Sequence, residues 1–244
     1  MTARPAWYAP DWPRPAGVGA AVTTRIGGVS EGPFASLNLA GHVGDDPAAV
    51  DANRAALTEA LALPAEPAWL EQVHGVAVAD AGAGPGQQAD ASVATEPGTV
   101  CAVLTADCLP VLLARSDGTA VAAAHAGWKG LAAGVLEATA VRLGPGRLTA
   151  WLGPAIGPAA FEVGEEVRAA FVDPDPGAAA CFRYQGDSLH ADLYALARRR
   201  LFAAGVAEVH GGGRCTFTEA ERFYSYRRDG RTGRLATLVW REAG

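Results

Sequence analysis

The stretch "GTVCAVLTADCLPVLLARSDGTAVAAAHAGW", residues 98–128, constrains the fold more than any other part of the chain. It holds three apolar strands separated by Asp107–Pro110 and by the turn Ser116-Asp117-Gly118. Short apolar runs bounded by turn residues are the mark of strands buried within a core. Polar chemistry stands where these strands run out: Asp107 and Cys108 at one end, His125 at the end of the next run. Strand ends are where loops gather and side chains converge in a cleft.

The surrounding segments supply layers for such strands. "GVGAAVTTRIGG" (17–28) reads as a strand with Arg25 at its strand-to-turn junction. The segment 44–63 is an amphipathic helix opened by Asp46 as N-cap and Pro47 at N1. "AWLEQVHGVAVAD" (68–80) reads as two short strands broken around His74–Gly75. A helix is expected over 128–143, within 147–158 a strand running into a Gly-Pro-x-x-Gly-Pro loop, and a helix over 190–205 stopped by Gly205. "VAEVHGGG" and "RLATLVW" are late strands. Hairpins are mixed with crossovers, so the expected class is α/β: a layered sandwich of mixed β-sheets with helices packed outside, forming a single domain over 1–244. No repeat or interdomain linker interrupts it. "GAGPGQQ" (82–88) follows no strong strand and opens no helix, so it is no dinucleotide fingerprint.

Of the 244 residues, 50% are apolar, enough for a sizeable core. The net charge of −6 is dispersed and no basic stripe exists, which argues against a nucleic-acid partner. An anionic small substrate needs only a few arginines converging in a pocket. The proline-broken N-terminus lacks the apolar region of a secretory signal, and no run approaches the roughly 18 apolar residues of a membrane span. Four cysteines without a CxxC pair fit a reducing compartment. A cytoplasmic monomer without a membrane partner is therefore expected.

His74, Cys108 and His125 form the candidate constellation. Two imidazoles and a thiolate suit zinc, and three protein ligands leave a fourth position open, as in catalytic sites. Asp107 would then stand beside the metal as partner or proton carrier. Other readings stay open on these residues. Cys108 is also what a small buried hydrophobe looks like, and His125 what a core or capping histidine looks like. Cys108 with either histidine would make a metal-free nucleophile–base dyad. Cys215 would close a structural zinc site as fourth ligand, in a non-enzymatic binding protein. Cys101 reads as core, and nothing ties Cys181, His42, His190 or His210 to the group.

The segments "TTRIGGVS", "SLNLAGHVGDD", "QVHG", "ADASVAT", "TADCLPVLL", "AAHAGWKG", "LGPAIGP", "FEVG" and "FYSYRRDGRTGRLATLVW" follow one another across nearly the whole chain. In that order they resemble the YfiH family, also called laccase-domain proteins or peptidoglycan editing factors. The resemblance implies a cytoplasmic α/β enzyme with zinc held by His74, Cys108 and His125. It implies phosphorolysis of purine nucleosides (adenosine, inosine, methylthioadenosine) and adenosine deamination. It also brings a polyphenol oxidase activity with copper, and the editing of cell-wall precursors, which the Cys–His dyad would suit.

These chemistries ask for different residues. Deamination needs a carboxylic acid that is not a ligand; Asp107 is the first candidate and Asp90 the second. Phosphorolysis needs an anion clamp, for which Arg25 leads and Arg228 follows, with Asn38 to bind a hydroxyl. A multicopper oxidase needs many imidazoles, and the chain has five histidines and one methionine, Met1. Copper replacing zinc in vitro would give only weak oxidation.

Overall fold

Why the 98–128 stretch lacks polar alternation is plain in the computed structural model, which describes residues 4–242 and leaves Met1 outside. Its three strands are covered on both faces. The first part of the chain gives β1 (Trp7–Tyr8), β2 (Val18–Thr23), α1 (Pro47–Leu61), β3 (Val78–Asp80) and β4 (Ala91–Ala94). The central stretch gives β5 (Val100–Thr105), β6 (Leu109–Arg115) and β7 (Val121–Ala126). There follow α2 (Trp128–Ala133), α3 (Val135–Arg142), β8 (Leu148–Leu152), α4 (Glu165–Val172), β9 (Phe182–Gln185) and β10 (Ser188–Ala191). The chain closes with α5 (Leu193–Ala203), β11 (Glu208–Gly211), α6 (Tyr226–Asp229) and β12 (Leu235–Arg241).

Two main sheets result. The smaller has the order β1-β2-β12-β5 and the larger β11-β8-β6-β7-β4-β3; β9 and β10 form a separate hairpin. The large sheet is mixed: β11 runs parallel to β8 and β3 to β4, while the other pairs are antiparallel. Residues two apart along a strand share a face, and the cores follow that period. Val18, Ala20, Val22, Cys101, Val103 and Val239 of the small sheet meet Leu112, Ala114, Val121, Ala123 and Trp151 of the large one. The outer face of the small sheet packs Ala21, Ala102, Leu104 and Leu238 against Leu57 of α1. The outer face of the large sheet packs Val111, Leu113 and Ala122 against helices. These present Leu131 from α2, Leu136 from α3, Phe171 from α4, and Leu196, Ala197 and Leu201 from α5.

The layered α/β sandwich expected from the sequence is therefore the observed architecture, helices outside and sheets inside. Asp46 caps α1 through the Ala48 amide, and Pro47 opens it. Three expectations are corrected. The helix over 128–143 is two helices, because Gly134 adopts φ 105 between them. In 68–80 only β3 is a strand, while Ala68 and Glu71 make isolated bridges. The backbone there is held by a side chain instead: the Gln72 carboxamide donates to the Leu104 carbonyl (2.8 Å) and accepts from the Leu104 backbone amide (2.7 Å). The helix over 190–205 starts later, since Asp192 caps α5 through the Ala195 amide and the residues before it form β10. The hairpin β9–β10 and α4 are not among the expected elements. No helix among the described residues is long and apolar enough to cross a membrane.

Leu112 is fully buried between the sheets. Leu112→Ala should lower unfolding stability by about 2–5 kcal/mol, read as a reduced denaturant midpoint at unchanged slope. A midpoint equal to that of the unsubstituted protein would contradict this packing.

Candidate functional site

Ala106–Cys108 carries the chain from β5 in the small sheet to β6 in the large one. The corner is sharp, and Asp107 turns it at φ 93, a conformation uncommon outside glycine. Its carboxylate is fully engaged in holding that corner. Oδ1 accepts from Thr216 Oγ1 (2.6 Å), and Oδ2 from Ser225 Oγ (3.0 Å) and the Arg227 amide (2.7 Å). The Asp107 carbonyl accepts from the Ile156 amide (2.9 Å). Cys108 follows at the rim. His125 lies in register with Pro110 near the end of β7, on the face that Val121 and Ala123 turn toward the other sheet.

Asp90, just before β4, joins this rim to the third residue. Its side chain is fully buried. It accepts from three consecutive amides: Val73 (3.2 Å), His74 (2.9 Å) and Gly75 (2.6 Å). His125 Nδ1 lies 2.8 Å from Asp90 Oδ1, and the His125 amide donates to the Asp90 carbonyl at 2.7 Å. An ionised carboxylate only accepts, so Nδ1 carries the proton and Nε2 is left to face outward. Burial alone would raise the Asp90 pKa, but the hydrogen bonds from His125, Gly75 and His74 hold it below the ordinary carboxylate range. His74 takes φ 61 where the loop bends over this clamp.

His74, Cys108 and His125 thereby come together, each offering one donor atom within 4.8 Å of the others. Cys108 Sγ lies 3.8 Å from His74 Nε2, and the two imidazoles meet edge to face with centroids 4.7 Å apart. Burial opposes charge on Cys108, but the His125 charge and hydrogen bonds from both histidines lower its pKa. Burial likewise opposes charge on His125, and the Cys108 thiolate and Asp90 raise its pKa. The donor set thus favours a thiolate, the form that binds metals. A Cβ on Gly127 would stand 2.8 Å from the His74 ring and 3.0 Å from Cys108 Sγ, so the close approach requires glycine there. Cys215 is outside this group: its sulfur accepts from the Gly157 amide at 3.2 Å, which removes it as the fourth ligand.

The three donors line a cavity of about 600 Å³. Leu104, Trp128, Ile156, Phe161 and Tyr226 give it apolar and aromatic walls, and His42, Lys129, Arg227 and Arg234 add basic groups. Of the residues expected to bind substrate, three have other occupations. Arg25 donates to the carbonyls of Ala35 and Ala220 and stacks on Tyr224. Arg228 donates to the carbonyls of Thr216, Phe217 and Phe223 and to Asp229. Asn38 is buried among Ala40, Asp45 and the Arg234 amide. None of the three lines the cavity, and Asp90 stands behind the histidines. His42, which no sequence feature ties to the group, does line it. Arg227 is the neighbour of Arg228, and Lys129 lies within "HAGWKG", but neither motif distinguishes an inward side chain from an outward one.

With the geometry known, relatives become informative. The purine nucleoside phosphorylase PA4543 of Pseudomonas aeruginosa is 59% identical over 239 residues, covering 96% of this chain and 98% of the relative. The purine nucleoside phosphorylase YfiH of Escherichia coli is 56% identical over 235 residues, covering 95% and 97%. The crystal structure of Neisseria meningitidis protein NMB0706 superposes with a TM-score of 0.94 at 50% identity, covering 97% of this chain and 99% of that one. A family model described as multi-copper polyphenol oxidoreductase laccase matches residues 19–242. By these matches the chain belongs to the YfiH family of laccase-domain proteins.

Proposed function

We propose that this protein is a zinc-dependent purine nucleoside phosphorylase, converting adenosine, inosine or methylthioadenosine and phosphate to the free base and a sugar 1-phosphate. The observation that carries the reading is the His74–Cys108–His125 cluster in a cavity large enough for a nucleoside, in a chain whose relatives are named purine nucleoside phosphorylase. The donors fit zinc: tetrahedral bonds of about 2.0–2.1 Å to nitrogen and 2.3 Å to sulfur put donors about 3.3–3.6 Å apart, close to the 3.8 Å between Cys108 Sγ and His74 Nε2. Zinc bound there would supply a Lewis acid with one open position. Asp90 fixes His125 and the His74 loop, while the aromatic walls offer faces on which a purine stacks. The reading takes residues 1–244 as one enzyme domain acting on small molecules as a cytoplasmic monomer.

Deamination in the same pocket needs a carboxylate free to move a proton. Asp107 would have to release Thr216, Ser225 or the Arg227 amide, and Asp90 its amide clamp, to serve. Phosphorolysis makes no such demand. A multi-copper oxidase needs several metal centres, and the described residues hold one such cluster.

Cys108→Ala should lose both bound zinc and phosphate-dependent release of adenine from adenosine, assayed by metal analysis and chromatography. A variant retaining either would refute the assignment. Chelation should stop the wild type and zinc restore it; activity that survives chelation but not thiol alkylation would instead identify a Cys–His hydrolase, such as one editing cell-wall precursors. Asp90→Asn should weaken zinc binding by about 10–100-fold, measured by competition with a chromophoric chelator; unchanged affinity would show that the clamp does not orient the ligands.

A further inference from the structure

Arg234 stands immediately before β12, whose Leu235 pairs with Thr105 at the end of β5. The Asn38 side chain accepts from the Arg234 amide at 2.9 Å, fixing where the residue leaves the strand. Its guanidinium packs over the Tyr226 ring, 5.8 Å from the centroid. Nη1 donates to the carbonyls of Thr232 (2.9 Å) and Gly233 (3.1 Å). Nε and Nη2 have no acceptor among the described residues, and no carboxylate there pairs with the group. The carboxylate lining the same cavity, that of Asp107, is engaged by other donors.

The Cys108 and Asp107 charges act on this half-buried guanidinium, but no carboxylate hydrogen-bonds to it, and its two open donors form the fork that matches a phosphate edge. Arg227 and Lys129 line the same cavity, also without carboxylate partners among the described residues. Arg227 is held by the Glu162 carbonyl and stacks on Phe161. A fourth polar group lies here too: Thr105 is 2% exposed, and its hydroxyl has no partner. These features gather in one cavity of a chain whose net charge is −6.

We propose that Arg234 is the phosphate-binding residue of this cavity, gripping a phosphoryl group through Nε and Nη2 with Arg227 and Lys129 beside it. The inference rests on the phosphorylase reading for its ligand, inorganic phosphate as co-substrate. The same chemistry would also recognise the 5′-phosphate of a nucleotide.

The test is calorimetric titration of inorganic phosphate into zinc-loaded wild type, Arg234→Gln and Arg234→Lys, with phosphorolysis kinetics alongside. Arg234→Gln should weaken phosphate binding and raise KM for phosphate by roughly tenfold or more, leaving zinc content and KM for adenosine unchanged. Arg234→Lys, keeping charge without the fork, should fall between the two. If phosphorolysis proceeds and Arg234→Gln leaves phosphate affinity and KM unchanged, the assignment is overturned while the reaction stands. If no phosphorolysis occurs but phosphate binding still depends on Arg234, the reaction fails and the site stands. AMP titrated without phosphate separates the sources: Arg234-dependent binding of AMP alone would overturn inorganic phosphate as the ligand.

Discussion

A carboxylate buried between strands must be met by donors, because an isolated charge in that environment is strongly disfavoured. Asp90 satisfies this with three successive loop amides and one imidazole. The requirement shapes everything around it. The loop 73–75 cannot pair as a strand because its amides point at the carboxylate. His125 cannot choose its tautomer because Nδ1 must donate. One buried charge therefore sets the backbone carrying His74 and the orientation of His125, and both converge on the sulfur of Cys108.

Asp107 performs a parallel task next to Cys108. It draws Thr216, Ser225 and the Arg227 amide to the corner between the sheets. The C-terminal segment bearing Arg227 and Arg234 is thus braced against the same corner that presents Cys108. Neither carboxylate has an oxygen to spare for free acid–base work, so both act by holding other groups in position. Charge-assisted hydrogen bonds are about twice as strong as neutral ones, which makes carboxylates effective braces.

Much of the fold was legible in the residues. The apolar runs of 98–128 and the Asp46–Pro47 helix start carry their structure locally, and Cys108 and His125 stand where the apolar runs stop. His74 lies instead in a loop shaped by Asp90, a residue sixteen positions away. The basic residues that line the cavity were not legible. Arg25 and Arg228 stand in polar, glycine-flanked motifs, yet their donors point at backbone carbonyls, those of Ala220 and Thr216 among them. Only tertiary structure decides whether an arginine meets a carbonyl or a cavity. Arg234 shows the converse, since it lines the cavity and its backbone amide is held by Asn38, far away in sequence. Asp107 belongs to the rim, but its three donors come from residues 216–227, and no local pattern announces them.

Net charge misleads about such a site for a related reason. Screening confines exposed charges to about 8–10 Å at physiological salt, so a dispersed excess of acids elsewhere scarcely reaches the cavity floor. What a ligand meets is the local set: Lys129, Arg227 and Arg234, beside a His–Cys–His cluster that could hold a metal ion and a carboxylate already saturated by donors. An acidic protein can therefore bind an anion in a pocket, provided the pocket's own carboxylates are held by hydrogen bonds. The brace at Asp107 meets that condition, and so the interaction that shapes the corner also leaves the neighbouring Arg234 guanidinium without a carboxylate partner among the described residues.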